Sequence, residues 1–313
     1  MNKIPVVRTI KESYRFTFGG LGTVIGLIWL PIVVLTVGGY FTMVPYFSGM
    51  AGALESGDVS QQGPLVVREL AFEIVTIVLM AVVAVAITRE ILSPMKRPPF
   101  LRFSLGLTEL RVVGGFFGLF VLMIVFAIIL TIIGLVAGFA VNAVLPAAAA
   151  AVGGAGLPAR AVSVAMLAAL VCCLALVYIV TRLGFLLVPA AAMEGGFGLE
   201  RSWKLTKGNF WRIFLIAVAT LVPVLIAAIV LEVAVLGPDI LNPYVELARD
   251  QAAQMRHSAE QMRQMAAHLP LLTGIGFLLA PFTYGMTFAP AAFAYRALMA
   301  RAQSGKVVHS ASV

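Results

Sequence analysis

Three arginines share one position relative to long apolar stretches of this chain, and their side chains suit phosphate binding. Arg89, Arg182 and Arg296 each stand at the end of such a stretch, in the runs TRE, TRL and YRA. A guanidinium keeps its charge at neutral pH and binds phosphate or carboxylate through two parallel hydrogen bonds. Three such groups at one level need anions between them. We expect anionic lipid phosphate together with acids of neighbouring segments, namely Glu90, Glu109 or Glu194.

A second set of lipid-binding candidates precedes three of the apolar stretches. Arg15, Arg102 and Lys204 occupy the same place in a shared pattern: aromatic or Leu, basic, Phe or Leu, Thr or Ser, any residue, Gly. We expect each pattern to form an amphipathic helix in the membrane interface, with rings such as that of Trp203 at headgroup level. The alternative is that these are ordinary basic flanks of membrane spans.

The first of these segments shows the amphipathic pattern most clearly. Its apolar residues are predicted on one helical face and its basic residues on the other: Val7, Ile10, Tyr14 and Phe18, against Arg8, Lys11 and Arg15. In the third segment Gly208 is expected to end the short helix, and Asn209 to cap the apolar helix that follows.

Acids within the apolar stretches are few. Glu69 and Glu73 lie near the outer end of the second stretch and Glu232 near the outer end of the fifth. A charge inside a membrane is costly and raises a functional hypothesis. The first two acids could hold a cation, but a solvated helix end explains all three as well.

Thioethers and imidazoles occur together in the predicted outer loop 238–268. Met255, Met262, Met265 and His268 fall along one helical stripe, with His257 nearby. Soft sulfur ligands suit Cu(I), but methionines at this spacing more often dock a helix on an apolar surface. We expect no bound metal and no cofactor.

Six stretches are long and apolar enough to cross a bilayer, which takes about 20 helical residues. The chain is 61% hydrophobic, and its mean hydropathy is +1.02. The predicted spans are 18–44, 66–92, 112–145, 161–190, 210–236 and 269–299. The fold class is therefore all-α: a single transmembrane domain of six helices over residues 1–313.

The basic residues are distributed unevenly between the two sides of the predicted bundle. Seventeen of the 22 lysines and arginines fall in four alternate hydrophilic stretches, which carry +12, while the other three carry −4. Positive charge accumulates on the cytoplasmic side of membrane proteins, so both termini are expected there. This accounts for the net charge of +8 without a nucleic-acid partner, and no solvated basic domain is present to bind one.

We call the shared patterns around Arg15, Arg102 and Lys204 the entry patterns, and Arg89, Arg182 and Arg296 the exit arginines. Together they suggest a threefold repeat of two-helix units. The units would cover about 1–95, 96–193 and 194–303, followed by a flexible tail at 304–313. Units with an even number of spans share one orientation, so a symmetry axis would run along the membrane normal.

One region resembles a group of bacterial six-span membrane proteins. The runs RLGFLLVPAAA, from Arg182, and ERSWKLTKGNFWR, from Glu200, carry the resemblance, which is sharp over residues 180–215 only. The group includes the membrane domain of some glycerophosphoryl diester phosphodiesterases and the YciC-like inner-membrane proteins. The resemblance implies a helical protein of the bacterial inner membrane with no assigned chemistry. Hydrolase activity is not expected, because no stretch resembles the soluble catalytic domain.

These observations favour a non-enzymatic membrane protein that organises lipid, most simply anionic lipid, or a membrane-protein complex. A small transporter or channel between the helix hairpins is the alternative, disfavoured because the predicted spans contain few polar residues. A lipid-acting enzyme comes third, since no nucleophile–base pair or metal set can be assembled.

Overall fold

The computed structural model describes residues 3–56, 60, 62–94, 105–152, 156–237 and 251–310, and these are helical without any strand. The elements are α1 (Val6–Tyr14), a π-helical turn (Arg15–Gly19), α2 (Leu21–Ser56), α3 (Gln62–Leu92), α4 (Leu107–Val152), α5 (Gly156–Gly184), α6 (Leu187–Glu194), α7 (Leu199–Leu205), α8 (Phe210–Leu236) and α9 (Gln251–Ser310).

Six helices of the described chain are long and apolar enough to cross a membrane, as predicted. The fifth predicted span coincides with α8, while α2 and α9 extend well beyond the first and the sixth. The segment 251–268, predicted as part of an outer loop, is instead the first part of α9, and residues 304–310 of the predicted tail continue the same helix. Because both segments are polar, the sequence did not indicate that the helix of the sixth span continues through them.

The fourth predicted span is not one continuous helix. A turn at Phe185–Leu186 separates α5 from the short helix α6. Five residues of α6 are buried, from Leu187 to Ala191, and this helix packs against α3, α4, α7 and α9. The apolar half of the 180–215 region therefore belongs to the core at one end of the bundle.

That core joins five helices. It includes fully buried residues from each: Leu27 of α2, Val83 of α3, Val112 of α4, Leu187 of α6 and Ala289 of α9. The most extensive packing is between α2 and α9. In contrast, the most apolar 18-residue window within Leu107–Val136 of α4 has no buried residue, so this part of the helix faces outward.

The first entry helix runs lengthwise along α9, antiparallel to it. Arg301 donates a hydrogen bond to the carbonyl of Lys3 at one end, and the rings of Phe18 and Phe282 are 5.2 Å apart at the other. The sequence pattern predicted an interfacial helix and did not predict this contact with α9.

The face of α1 that packs against α8 and α9 carries small polar residues. Thr9, Ser13 and Thr17 are buried, whereas Val7 and Phe18 are 66% and 54% exposed. Small hydroxyl residues allow close approach to α8 and α9, and the hydroxyls of Thr9 and Ser13 donate to backbone carbonyls four residues earlier. Of the predicted apolar face, Val7 and Phe18 thus lie on the outside, whereas Ile10 packs against buried residues of α8 and α9.

Candidate functional site

The three exit arginines lie at the same end of the helix bundle, called here the basic end, and each has a different environment. The Arg89 Nη1 is 3.0 Å from Oε1 of Glu109, whose side chain is 3% exposed. Glu109 also accepts a hydrogen bond from the backbone of Gly106, just before α4. The predicted pairing of an exit arginine with Glu109 is therefore present.

Arg182 is buried among neutral groups. Its guanidinium donates to the Thr206 hydroxyl, the Tyr178 hydroxyl and the Trp203 carbonyl, at 3.3, 2.9 and 2.7 Å. Its central carbon lies 3.7 Å from the centre of the Trp203 ring, a close cation–π contact. No acid pairs with Arg182 within the described ranges. Trp203 consequently supports this arginine, a role that its prediction as a lipid contact did not include.

The serine and threonine of the third entry pattern complete the arrangement around Arg182. Both Ser202 and Thr206 are fully buried; the Ser202 hydroxyl donates to the Arg182 carbonyl at 2.8 Å, and the Thr206 hydroxyl has its shortest acceptor, at 2.8 Å, in the Ser202 carbonyl. Gly208 has a φ of 74°, as expected of the glycine that ends this turn. Asn209 does stand before α8, but its side chain makes no cap; it accepts a hydrogen bond from the backbone of Ile4 instead.

Arg296 contacts a carboxylate and also lines an open cleft. Its Nη2 is 3.0 Å from Oε2 of Glu12, and its guanidinium lies over the ring of Phe293. The other oxygen of Glu12 accepts from Arg8 at 2.8 Å. Burial raises the pKa of Glu12, but the hydrogen bonds and charges of Arg8 and Arg296 outweigh it, so this pKa lies below its ordinary value. Glu12 is therefore ionised at neutral pH.

A cleft of about 430 Å³ opens beside this pair, called here the basic cleft. It is lined by residues of α1, the π-helical turn and α9: Glu12, Arg15, Phe16, Gly19, Gly20, Phe293 and Arg296. Two arginines face one carboxylate, so the lining carries a net charge of +1. The cleft ends where the turn meets α2, at the start of the first span.

Arg15 is the exposed cation of the basic cleft. Among the described residues it has no ion pair and no side-chain hydrogen bond. It occupies a π-helical turn, an element that widens a helix by one residue and often occurs at functional sites. An unpaired guanidinium in the same cleft as Arg296 is an attractive position for an anion.

The remaining predicted lipid and acid positions lie apart from this cleft. Lys204 is exposed and pairs with Glu200 at 2.5 Å, and Arg102 lies outside the described residues. Glu73 is exposed on α3, and Glu232 is partly exposed on α8. In the described part of the chain neither acid has an ion pair.

The predicted metal candidates all lie on the first part of α9: Met255, His257, Met262, Met265 and His268. His268 Nδ1 is 2.9 Å from the Gln264 carbonyl, while Nε2 of His257 is buried without a partner. Within the described ranges no three His, Cys, Asp or Glu side chains come together as metal ligands.

Sequence reasoning missed Glu12 and the two phenylalanines of the cleft. The local signals of Glu12 were two spacings, four residues after Arg8 and three residues before Arg15. Its contact with Arg296 joins positions 284 residues apart, and nothing in the sequence pattern indicates which cation an acid will select over that separation.

No family model, curated protein or solved structure matches this chain. The resemblance of residues 180–215 to bacterial six-span membrane proteins accordingly stays a prediction. The structure gives that region a physical role of its own, because its two halves supply the buried helix α6 and the residues that surround Arg182.

Proposed function

We propose that this protein is a non-enzymatic, multi-pass membrane protein that binds anionic lipid at its basic end. The observation that carries the proposal is the basic cleft, where the unpaired Arg15 and the half-paired Arg296 line one space at the start of a membrane-spanning helix. A phosphate group between them would receive bidentate hydrogen bonds and compensate their mutual repulsion.

The surroundings of the basic cleft favour a lipid over a water-soluble anion. Phe16 and Phe293 supply apolar walls next to the charged groups, their rings 6.2 Å apart in an edge-to-face arrangement. A lipid headgroup region has the same combination of phosphate and apolar chain within a few ångströms. Cationic side chains at such positions each contribute about 1 kcal/mol of attraction to an anionic membrane surface.

The other two exit arginines are less available to lipid than their sequence positions indicate. Arg89 contacts Glu109, and Arg182 is 7% exposed beneath Trp203. The proposal therefore places the lipid site at Arg296 and Arg15 and not at a ring of three arginines.

The proposed location is the bacterial inner membrane, with the basic end and both termini in the cytoplasm. The support is the accumulation of Lys and Arg in the hydrophilic stretches that join at this end. In this setting the protein would hold anionic lipid against the helix bundle and so organise the lipid around it or around a membrane-protein partner.

The helices give no particular support to the transporter alternative. Transporters commonly use helices interrupted at the middle of the membrane, where backbone groups bind substrate. Four prolines of the spans lie inside continuous helices: Pro31, Pro223, Pro281 and Pro290. Among the described spans only the fourth is interrupted, and its break lies close to the basic end of the bundle.

Lipid retention by the purified protein tests the proposal. The double variant R15Q/R296Q should lose the phosphatidylglycerol that remains on the wild-type protein after detergent exchange. Two cations worth about 1 kcal/mol each correspond to a roughly thirtyfold weaker affinity. The measurement is native mass spectrometry of the full chain titrated with this lipid.

The matched control is K11Q/K207Q, which also removes two positive charges from exposed positions but leaves the basic cleft unchanged. It should retain the bound lipid. If both double variants retain phosphatidylglycerol equally, or both lose it equally, the basic cleft is not the lipid site.

A further inference from the structure

Resting on that proposed function, we infer that the basic cleft selects a lipid with a single phosphodiester and a hydroxyl donor in its headgroup, and that Glu12 determines this choice. Phosphatidylglycerol has this chemistry. Phosphatidic acid, with a phosphomonoester, and phosphatidylethanolamine, with no net charge, do not.

The charges of the lining residues set the first part of the selection. Arg15 and Arg296 contribute two positive charges and Glu12 one negative charge. A phosphodiester carries one negative charge and brings the cleft to neutrality. A phosphomonoester carries about −1.5 to −2 at pH 7 and would leave excess negative charge next to the Glu12 carboxylate.

The position of Glu12 accounts for the preference for a hydroxyl donor in the headgroup. Its side chain is 27% exposed and lines the cleft, and one oxygen accepts from Arg8 while the other accepts from Arg296. A carboxylate has about four acceptor positions, so each oxygen can take a further hydrogen bond. A headgroup hydroxyl beside the bound phosphate can supply that donor. A second phosphate at this position would be repelled.

Pairing with two arginines keeps Glu12 in the acceptor state despite its partial burial. The two arginines hold its pKa below the ordinary value, so the carboxylate stays charged throughout the neutral range. The selection therefore does not depend on small changes of pH around 7.

Arg296 links Glu12 directly to the ligand. Its Nη2 contacts Glu12, and its Nη1 reaches the Ile91 carbonyl only at 3.5 Å, which leaves donors free for a phosphate oxygen. Because Glu12 fixes the orientation of this guanidinium, the carboxylate is a positioning residue for phosphate as well as a contact for the headgroup.

The test is competition between lipids with identical acyl chains on the purified full-length protein, followed by native mass spectrometry. The wild type should bind phosphatidylglycerol more tightly than phosphatidic acid or phosphatidylethanolamine. In E12Q the ratio of phosphatidic acid to phosphatidylglycerol should rise about threefold, the factor expected for one partly exposed charge pair.

The matched control is E200Q, which removes an exposed carboxylate that pairs with Lys204 elsewhere at the basic end. It should leave the ratio unchanged. A second arm adds glycerophosphoglycerol, the water-soluble headgroup, at millimolar concentration. Failure to displace the lipid supports a lipid ligand, whereas full displacement assigns the cleft to a soluble phosphate and overturns the lipid assignment.

The outcomes separate this inference from the proposed function. If R15Q/R296Q loses its lipid but E12Q keeps the wild-type ratio, the anionic-lipid function stands and the selection by Glu12 is wrong. A wild type that prefers phosphatidic acid, or binds phosphatidylethanolamine as tightly as phosphatidylglycerol, also overturns the inference.

Discussion

Three arginines at equivalent sequence positions balance their charge in three different ways. Arg89 uses a buried carboxylate, Arg182 uses hydroxyls, a carbonyl and an aromatic ring, and Arg296 uses a carboxylate that is itself shared with Arg8. A buried guanidinium without an acid is tolerable only when its donors are satisfied. The environment of Arg182 meets that condition, so its role is structural.

We expect the substitution R182Q to destabilise the protein by about 3 kcal/mol. Hydrogen bonds that involve a charged group contribute about 1.5–3 kcal/mol, and a desolvated cation–π contact can add up to about 2. R182K should recover only part of the loss, because an ammonium cannot reproduce the planar arrangement of donors. The free energy of unfolding, measured by SDS titration in mixed micelles, gives the comparison.

The exposed K207Q is the control for this measurement and should change the free energy of unfolding by less than about 0.5 kcal/mol. An R182Q variant as stable as K207Q would show that the contacts with Trp203 and Thr206 contribute nothing to stability.

At the scale of elements, close packing between the π-helical turn and α9 depends on one glycine. A Cβ placed on Gly285 would lie 2.7 Å from both Oγ1 and Cγ2 of Thr17. Thr17 is fully buried, and its hydroxyl has no hydrogen-bond partner. The turn thus contains an unsatisfied polar group at the point where it contacts α9.

The substitution G285A should cost about 1–3 kcal/mol of stability, because the added methyl group overlaps Thr17. T17A alone should be close to neutral, since the cost of losing a buried methyl group is offset by the removal of a buried hydroxyl that makes no hydrogen bond. The double variant T17A/G285A should recover most of the loss, and a double-mutant cycle of unfolding free energies measures the coupling.

Gly274 provides the control on the same helix, because nothing lies within 4 Å of a Cβ added there. G274A should be neutral or slightly stabilising, as expected for alanine in a helix. If G285A behaves as G274A does, the π-helical turn does not pack against α9 at this point.

The elements differ in how far the sequence predicts them, for physical reasons. Long apolar segments predict the spans well, because composition alone determines which helices can enter a membrane. The break at Phe185–Leu186 gave no such signal, since apolar residues continue through it. The packed stripe of Thr9, Ser13 and Thr17 was also missed, because its residues are polar and the amphipathic pattern singles out other positions.

At the scale of the whole molecule, the exit arginines connect the three predicted units in order. Arg89 of the first contacts Glu109 of the second, and Arg182 of the second contacts Trp203 of the third. Arg296 of the third returns to Glu12 of the first. A threefold arrangement would give this cyclic pattern. The repeat itself stays a prediction, because Arg102 of the second entry segment lies outside the described residues.

The closing contact between Arg296 and Glu12 is also the one that opens into the basic cleft. At the second junction the Trp203 ring lies against the Arg182 guanidinium. At the closing junction Gly19 and Gly20, which carry no side chains, line part of the cleft beside Arg296. Sequence reasoning identified the arginines, but the open junction follows from packing between the two ends of the chain, which no local pattern encodes.

The orientation of the bundle supplies the last prediction. The two native cysteines, Cys172 and Cys173, are first replaced by alanine, and single cysteines are then placed at the exposed Ser56 and the exposed Lys207. The first is at the end with few basic residues and the second at the basic end. Because positive charge accumulates in the cytoplasm, an impermeant maleimide should label S56C and not K207C in intact spheroplasts, whereas permeabilised cells should label both. The reverse pattern would place the basic cleft on the outer surface, and Arg15 and Arg296 would then face the opposite leaflet from the one proposed.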